Sequence, residues 1–222
     1  MLMTMTTSRR LELFKRTVKS IFDNGGTSQI KKVIVIDDRS DYADFAEMGR
    51  IFASYGVLPI FLPNLYDTRW RHTASLNIWR SFVECEKYVF HCEDDWVFDH
   101  PGFIEWGVEV LDRHDWVGQA CLRKISDRTT QPTQELFWVR TESNCPKYEK
   151  PGHWPSRFTL TPTVTRVSSL KSSGQFEEVP GFEEAFGIKW TRAGWSSVYH
   201  QRGFCSHIGD AQSAYDINSS LR

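Results

Sequence analysis

Three consecutive carboxylates, Glu93, Asp94 and Asp95, come two residues after the apolar run Tyr88-Val89-Phe90 and directly precede Trp96-Val97-Phe98. Adjacent negative charges repel, so such a cluster is costly unless it is solvated or neutralised by a cation. Hard oxygen donors of this kind suit Mg2+ or Mn2+, with substrate phosphates completing the coordination. A solvated turn is the alternative; the apolar residues on both sides favour a metal. A second acidic pair, Asp37-Asp38, ends the run Val33–Ile36. It can simply cap the next helix and suit its dipole, or a carboxylate there can accept hydrogen bonds from a base N–H or a ribose hydroxyl. Arg9, Arg69 and Arg71 are candidates to neutralise phosphate or to orient these carboxylates. Glycine-rich phosphate loops are missing, as are the G-x-S-x-G elbow and the H-E-x-x-H helix. A nucleotide would therefore be handled through a metal and carboxylates.

The elements that must position these residues alternate between strand and helix. Leu2–Met5 is a short apolar run, and Leu11, Phe14, Val18, Ile21 and Phe22 recur at helical spacing up to a stop at Asn24-Gly25-Gly26. Val33–Ile36 is a β-branched run of the kind buried on both faces of a parallel sheet. Ser40 is placed to cap a helix carrying Phe45, Met48, Ile51, Phe52 and Tyr55. Val57–Leu62 reads as a strand despite Pro59, 73–86 as a helix, and Tyr88–Phe90 as a fourth strand. Alternation of this kind implies parallel strands joined by right-handed crossovers, with ligands bound outside the carboxyl ends of the strands. Thr6–Arg9, Asp37–Ser40, Asn64–His72 and Glu93–Asp95 all fall at those ends and should share one edge.

Beyond Asp95 the pattern loosens. Helices are expected over 101–113 and 182–193, strands over 117–122 and 195–199, and a loop-rich segment over 124–157. The fold class is α/β: a mostly parallel central sheet flanked by helices, with a Rossmann-like nucleotide half (about 1–98) and a smaller loop-rich acceptor half (about 99–222) in one domain.

Composition narrows the partners. With 27 Lys+Arg against 28 Asp+Glu, the net charge of −1 gives no basic field for nucleic acid or an anionic membrane surface. Five cysteines without a C-x-x-C pair read as free thiols in a reducing compartment. No apolar run reaches the roughly 20 residues of a membrane span, and the stretch before Arg9 is too short for a signal peptide. The expected location is the cytoplasm.

The order of these motifs resembles the glycosyltransferases of the GT-A fold, family 2 type. The likeness runs from about residue 3 to 208. It rests on the Thr-rich turn with Arg9, Val-Ile-Asp37-Asp38-x-Ser40, Ala74-x-x-Asn77 and Glu93-Asp94-Asp95. It continues through Gly181-Phe182-Glu183-Glu184, Arg192-Ala193-Gly194-Trp195, Val198-Tyr199 and His207. The resemblance implies that Asp38 contacts the nucleotide base, with Thr6 and Arg9 beside it; Thr7 and Arg71 are counted among the nucleotide-binding candidates. Asn77 would sit near the nucleoside, Glu93 would face the ribose with Asp94 beside it, and Asp95 would ligate Mn2+ or Mg2+, joined by His207. Glu183 stands where the family's general base stands, with Glu184 as its neighbour. Here the sequence departs from the pattern, since the family's base is an aspartate preceded by an acidic residue and Phe182 takes that place. Helical spacing points Glu183 and Glu184 in different directions, so one of them should face the site.

The implied reaction is metal-dependent, inverting transfer of a sugar from a nucleotide diphosphate sugar, a UDP-sugar by the commonest expectation, to a glycan or other hydroxyl acceptor. Processive relatives carry a Q-x-x-R-W motif and membrane helices; neither is visible, which favours single transfers. A metal-dependent nucleotidyltransferase or phosphohydrolase, with Asp37-Asp38 helping to hold a second metal, is one alternative. An inactive carbohydrate-binding relative is another. Of the nine tryptophans, most should be core, while Trp154, beside His153 and Arg157, is the best candidate for an acceptor platform.

Overall fold

A computed structural model describes residues 1–64, 71–123, 136–139, 158–200 and 202–209, with the backbone alone at 27, 71 and 136–139. The first half runs β1 (Leu2–Thr7), α1 (Leu11–Ile21), a π-helical turn (Phe22–Gly26), α2 (Thr27–Gln29) and β2 (Lys32–Asp37). It continues with α3 (Tyr42–Ser54), β3 (Pro59–Pro63), α4 (Arg71–Phe82) and β4 (Tyr88–Glu93). The second half holds β5 (Trp96–Phe98), α5 (Phe103–Arg113), β6 (Val117–Cys121), β7 (Leu136–Val139) and β8 (Thr163–Arg166). Two helices, α6 (Val167–Ser173) and α7 (Phe182–Arg192), and the strands β9 (Ser196–His200) and β10 (Cys205–His207) follow.

Eight strands form one sheet in the order β3-β2-β1-β4-β8-β6-β9-β7. The first four are mutually parallel, as the alternation predicts. β8 then runs antiparallel to both β4 and β6, β9 is parallel to β6, and β7 is antiparallel to β9. The sheet is therefore mostly parallel and continuous across both halves of the chain. β5 and β10 form a separate antiparallel pair.

Strand β2 shows why its residues demand burial on two faces. Val33 and Val35 pack with Phe14 and Val18 of α1 and with Met48 and Phe52 of α3. Ile34 and Ile36 point the other way, into Leu76 and Trp79 of α4. The same second face receives Leu170 of α6 and Phe186 and Trp190 of α7. Trp79, Trp96 and Trp190 are buried, and Trp106, Trp116 and Trp195 are half-buried against these clusters. The described tryptophans are thus mainly core.

Three expectations change in detail. Asp41, not Ser40, caps α3, its carboxylate accepting the Asp44 N–H at 2.8 Å. β3 begins and ends on proline, which an edge strand tolerates because one row of its N–H groups has no strand to pair with. The segment 124–157, expected as loop, contains β7, and its other residues lie outside those described. No helix among the described residues is long and apolar enough to cross a membrane.

Candidate functional site

Register brings the polar strand ends together. Thr7 pairs across from Asp37, Asp37 from Pro63, and Thr6 from Glu93. The Asn64 N–H then donates to the Asp37 carbonyl at 2.7 Å, so the chain leaving β3 stays on the same edge. This is the carboxyl edge of a parallel sheet, where crossover helices leave a crevice for ligands.

The three carboxylates of the acidic triplet diverge into three environments. Asp94 turns inward and is fully buried. Its Oδ2 accepts from the Thr7 hydroxyl at 2.6 Å, and Arg10 forms an ion pair with its Oδ1. Burial raises the Asp94 pKa to about 6, against the pull of Arg10 and Thr7. Arg10 also reaches Asp95, Nη1 to Oδ2 at 2.8 Å. Burial lowers the proton affinity of Arg10, but Asp94 and Asp95 more than offset it and the net shift is upward. Glu93 is half-buried beneath the Trp96 indole N–H, 3.4 Å away. Its pKa is pushed well above the usual carboxylate range, first by burial and then by Asp95 and Glu183.

Asp95 is the carboxylate that meets the histidine. Pairing of β10 with β5 sets His207 opposite Trp96, with ring centroids 4.9 Å apart. His207 Nε2 lies 3.3 Å from Asp95 Oδ2. The Ile208 N–H donates to the Asp95 carbonyl at 2.8 Å, and a Cβ at Gly209 would collide with the Asp95 carboxylate. The segment after β10 therefore closes down on Asp95, and only a residue without a side chain permits it. Asp95 Oδ1 is buried and has no hydrogen-bond partner. Among the described residues no group of three His, Cys, Asp or Glu side chains is gathered for a metal. One carboxylate with an orphaned oxygen and one imidazole still fit a divalent cation that takes its remaining ligands from phosphate and water.

The first turn and the end of β2 interlock. Arg9 adopts a left-handed backbone, φ 52°, and its Nε donates to the Arg39 carbonyl at 2.8 Å. Asp37 is buried, with both carboxylate oxygens held at 2.6 Å by the Ser40 N–H and hydroxyl. Burial nonetheless raises its pKa to about 6. Asp38 is the half-buried member of the pair, and its N–H donates to the Thr7 carbonyl at 2.9 Å. Thr6 is buried beside it, and Thr7 is committed to Asp94.

Helices α4 and α7 bring the rest. The Asn77 amide bonds both the N–H and the C=O of Phe176, each at 3.0 Å. It clamps α4 to the chain before α7, and both ends of the amide are engaged there. His72, in the first turn of α4, packs its ring 5.4 Å from that of Phe182. Burial, and then Arg10, lower its pKa to about 4, so the imidazole is neutral near pH 7. Glu183 is half-buried, its Oε1 accepting the Leu160 N–H at 3.2 Å, whereas Glu184 is exposed. The Arg71 side chain and His153, Trp154 and Arg157 lie outside the described residues.

The same architecture recurs in solved structures. A mannosyltransferase from Pyrobaculum calidifontis, PcManGT, in complex with GDP-Man and Mn2+, is similar over 97% of this chain at TM-score 0.69 and 11% identity. GalNAc-T7 with UDP, GalNAc and Mn2+ is similar over 93% at TM-score 0.67 and 9% identity. S. aureus TarS 1–349 in complex with UDP-GlcNAc is similar over 96% at TM-score 0.64 and 12% identity. The fold is that of the GT-A glycosyltransferases. The chain spans 59%, 44% and 61% of those three structures respectively. No family model matches the chain, and no curated protein matches it in sequence.

On this GT-A scaffold two site residues escaped the sequence. Arg10, not Arg9, is the arginine that engages the triplet; the two are neighbours of one type, and only the left-handed turn at Arg9 separates them. His72 had no motif to mark it, being the last residue of the polar segment Asn64–His72 and the second of α4.

Proposed function

We propose that the chain transfers a sugar from a nucleoside diphosphate sugar to a hydroxyl acceptor, with inversion and in single transfers. One observation carries this reading: beyond the carboxyl end of β4, Asp95 has a buried Oδ1 with no hydrogen-bond partner and an Oδ2 3.3 Å from His207 Nε2, a place for a divalent cation and the phosphates it would bind. The candidate base, Glu183, comes from the first turn of α7 in the second half of the chain. Asp38, beside Thr6 and Arg9, would receive the base or ribose, a UDP-sugar being the best-supported donor. Mn2+ or Mg2+, held by Asp95 and His207, would stabilise negative charge on the departing diphosphate. Glu183 would take the acceptor's hydroxyl proton as that oxygen bonds to the anomeric carbon and the bond to the diphosphate oxygen breaks. The Leu160 N–H orients the carboxylate for that task. The acceptor, a glycan or another hydroxyl compound, would meet Trp154, His153 and Arg157.

A two-metal nucleotidyl or phosphohydrolase reading is weakened by Asp37, whose two oxygens are both engaged by Ser40 and not presented to a second ion. The buried thiols of Cys92, Cys121 and Cys205, none of them in a disulfide, suit a reducing compartment such as the cytoplasm. Thermal-shift measurements with UDP, GDP, dTDP and CMP, with and without Mn2+, followed by donor-dependent release of the nucleoside diphosphate, test the function. Stabilisation by one nucleotide and release that needs both sugar donor and acceptor are expected. If no nucleotide stabilises the protein under any metal condition, the reading fails; sugar binding without metal dependence or turnover would identify a non-catalytic relative.

A further inference from the structure

Arg10 is the cation that neutralises the acidic triplet from within the chain. Its side chain is 9% exposed, Asp94 is 0% and Asp95 is 10%. The guanidinium forks across the two carboxylates, with Nη1 2.8 Å from the same Asp95 oxygen that His207 approaches at 3.3 Å. We propose that Arg10 is the resident counter-ion of the Asp95–His207 site and makes metal uptake depend on the nucleoside diphosphate; this rests on the nucleotide-sugar reading above.

The physical case begins with what holds Arg10 in place. Asp94 has no exposure to water, so withdrawing the guanidinium would strand a buried charge, which is strongly unfavourable. Arg10 therefore stays beside Asp95 whether or not a metal arrives. A divalent cation approaching alone meets a fixed positive charge and a carboxylate whose Oδ2 is already shared. It also finds only Asp95 and His207 as protein donors, with no third acidic, thiol or imidazole group gathered among the described residues. A diphosphate changes both conditions together. Its negative charge would offset the repulsion between guanidinium and cation, and its oxygens would supply the missing ligands. Arg10 is thus a positioning residue for Asp95 that weakens binding of the bare ion and favours the ion–diphosphate pair. Coupling between two ligands is reciprocal, so nucleotide affinity must respond to the metal by the same factor.

The test measures binding, not turnover. UDP, GDP, dTDP and CDP are titrated into the protein at zero and at saturating Mn2+, and Mn2+ alone is titrated by the loss of its free electron-spin signal. Wild type should bind Mn2+ weakly alone, with an enhancement of about tenfold or more when the bound nucleotide is present. Two variants probe Arg10. R10Q alone leaves Asp94 unpaired and can fail to fold; R10Q with D94N replaces the buried pair by neutral hydrogen-bonding groups. In the double variant, Mn2+ should bind the nucleotide-free protein more tightly and the enhancement should fall toward unity. Equal Mn2+ affinity with and without nucleotide in wild type overturns the inference, and so does a full enhancement in the double variant; both leave the donor reading standing. If none of the four diphosphates binds at any Mn2+ concentration, the donor reading itself fails and the inference with it.

Discussion

Glu183 Oε1 accepts the Leu160 N–H at 3.2 Å, and Glu93, whose proton affinity is raised first by burial and then by Asp95, is raised further by Glu183. Two acidic residues ninety positions apart by number thus share one electrostatic neighbourhood, and one of them is oriented by backbone. Glu183→Gln keeps an oxygen for the Leu160 N–H but removes the base. Turnover should fall by about 10²–10⁴-fold with nucleotide affinity retained. Steady-state kinetics and nucleotide titration check it, with the exposed Glu184→Gln as the comparison that should stay near wild type. Unchanged turnover in Glu183→Gln would remove the base assignment.

Asp95→Ala should abolish transfer. Arg10 keeps Asp94 as a partner, so the variant should still fold, and its circular dichroism should match wild type. Mn2+-dependent stabilisation by the nucleotide should disappear in the same thermal-shift assay. Persistence of that stabilisation would move the metal away from Asp95.

Asn77→Ala should act on stability rather than on the nucleotide. It removes two hydrogen bonds to Phe176 and leaves a backbone N–H and C=O without those partners, a loss of about 2–3 kcal/mol. Urea denaturation measures the loss. Weakened nucleotide binding at unchanged stability would restore the nucleoside role that the family resemblance implies for this residue.

Asp37 governs a pH effect whose sign follows from its burial. Its pKa rises from 3.8 to about 6 in the fold, so between those values the native state holds a proton that the unfolded chain releases. The contribution of Asp37 to stability therefore falls as pH rises from about 4 to about 6, by at most about 3 kcal/mol. Asp37→Asn should raise the denaturation midpoint at pH 7.5 relative to wild type and give no gain at pH 4. An equal change at both pH values would show that the lost Ser40 hydrogen bond, and not charge, dominates.

Much of the fold was legible because its signals are local. Val33–Ile36 had to be buried on both faces, and each polar turn after an apolar run fell at a strand's carboxyl end, so the shared edge followed from parallel topology. The choice of Glu183 over Glu184 came from the family resemblance; helical geometry said only that the two diverge, and they do differ in exposure. What could not be read depends on tertiary neighbours. Ser40 and Asp41 are both good caps, and Ser40 is taken by Asp37. Asn77 faces Phe176 across a gap of chain that no local pattern encodes. Thr163–Arg166 has a single strongly apolar residue, Val164, and its place between β4 and β6 is decided by pairing at a distance.

Insertion of β8 beside β4 also constrains biogenesis. The four parallel strands of the first half are complete once Glu93 has emerged from the ribosome, yet the free side of β4 waits for Thr163–Arg166. Until then an apolar inner strand presents unpaired backbone groups to whatever is nearby, the condition under which nascent chains associate wrongly. The seam between β4 and β8 is also a long-range pairing, of the kind that folds slowly. Yield of the intact protein should therefore be limited by how fast this seam closes, and truncations ending before residue 163 should be recovered chiefly as aggregates.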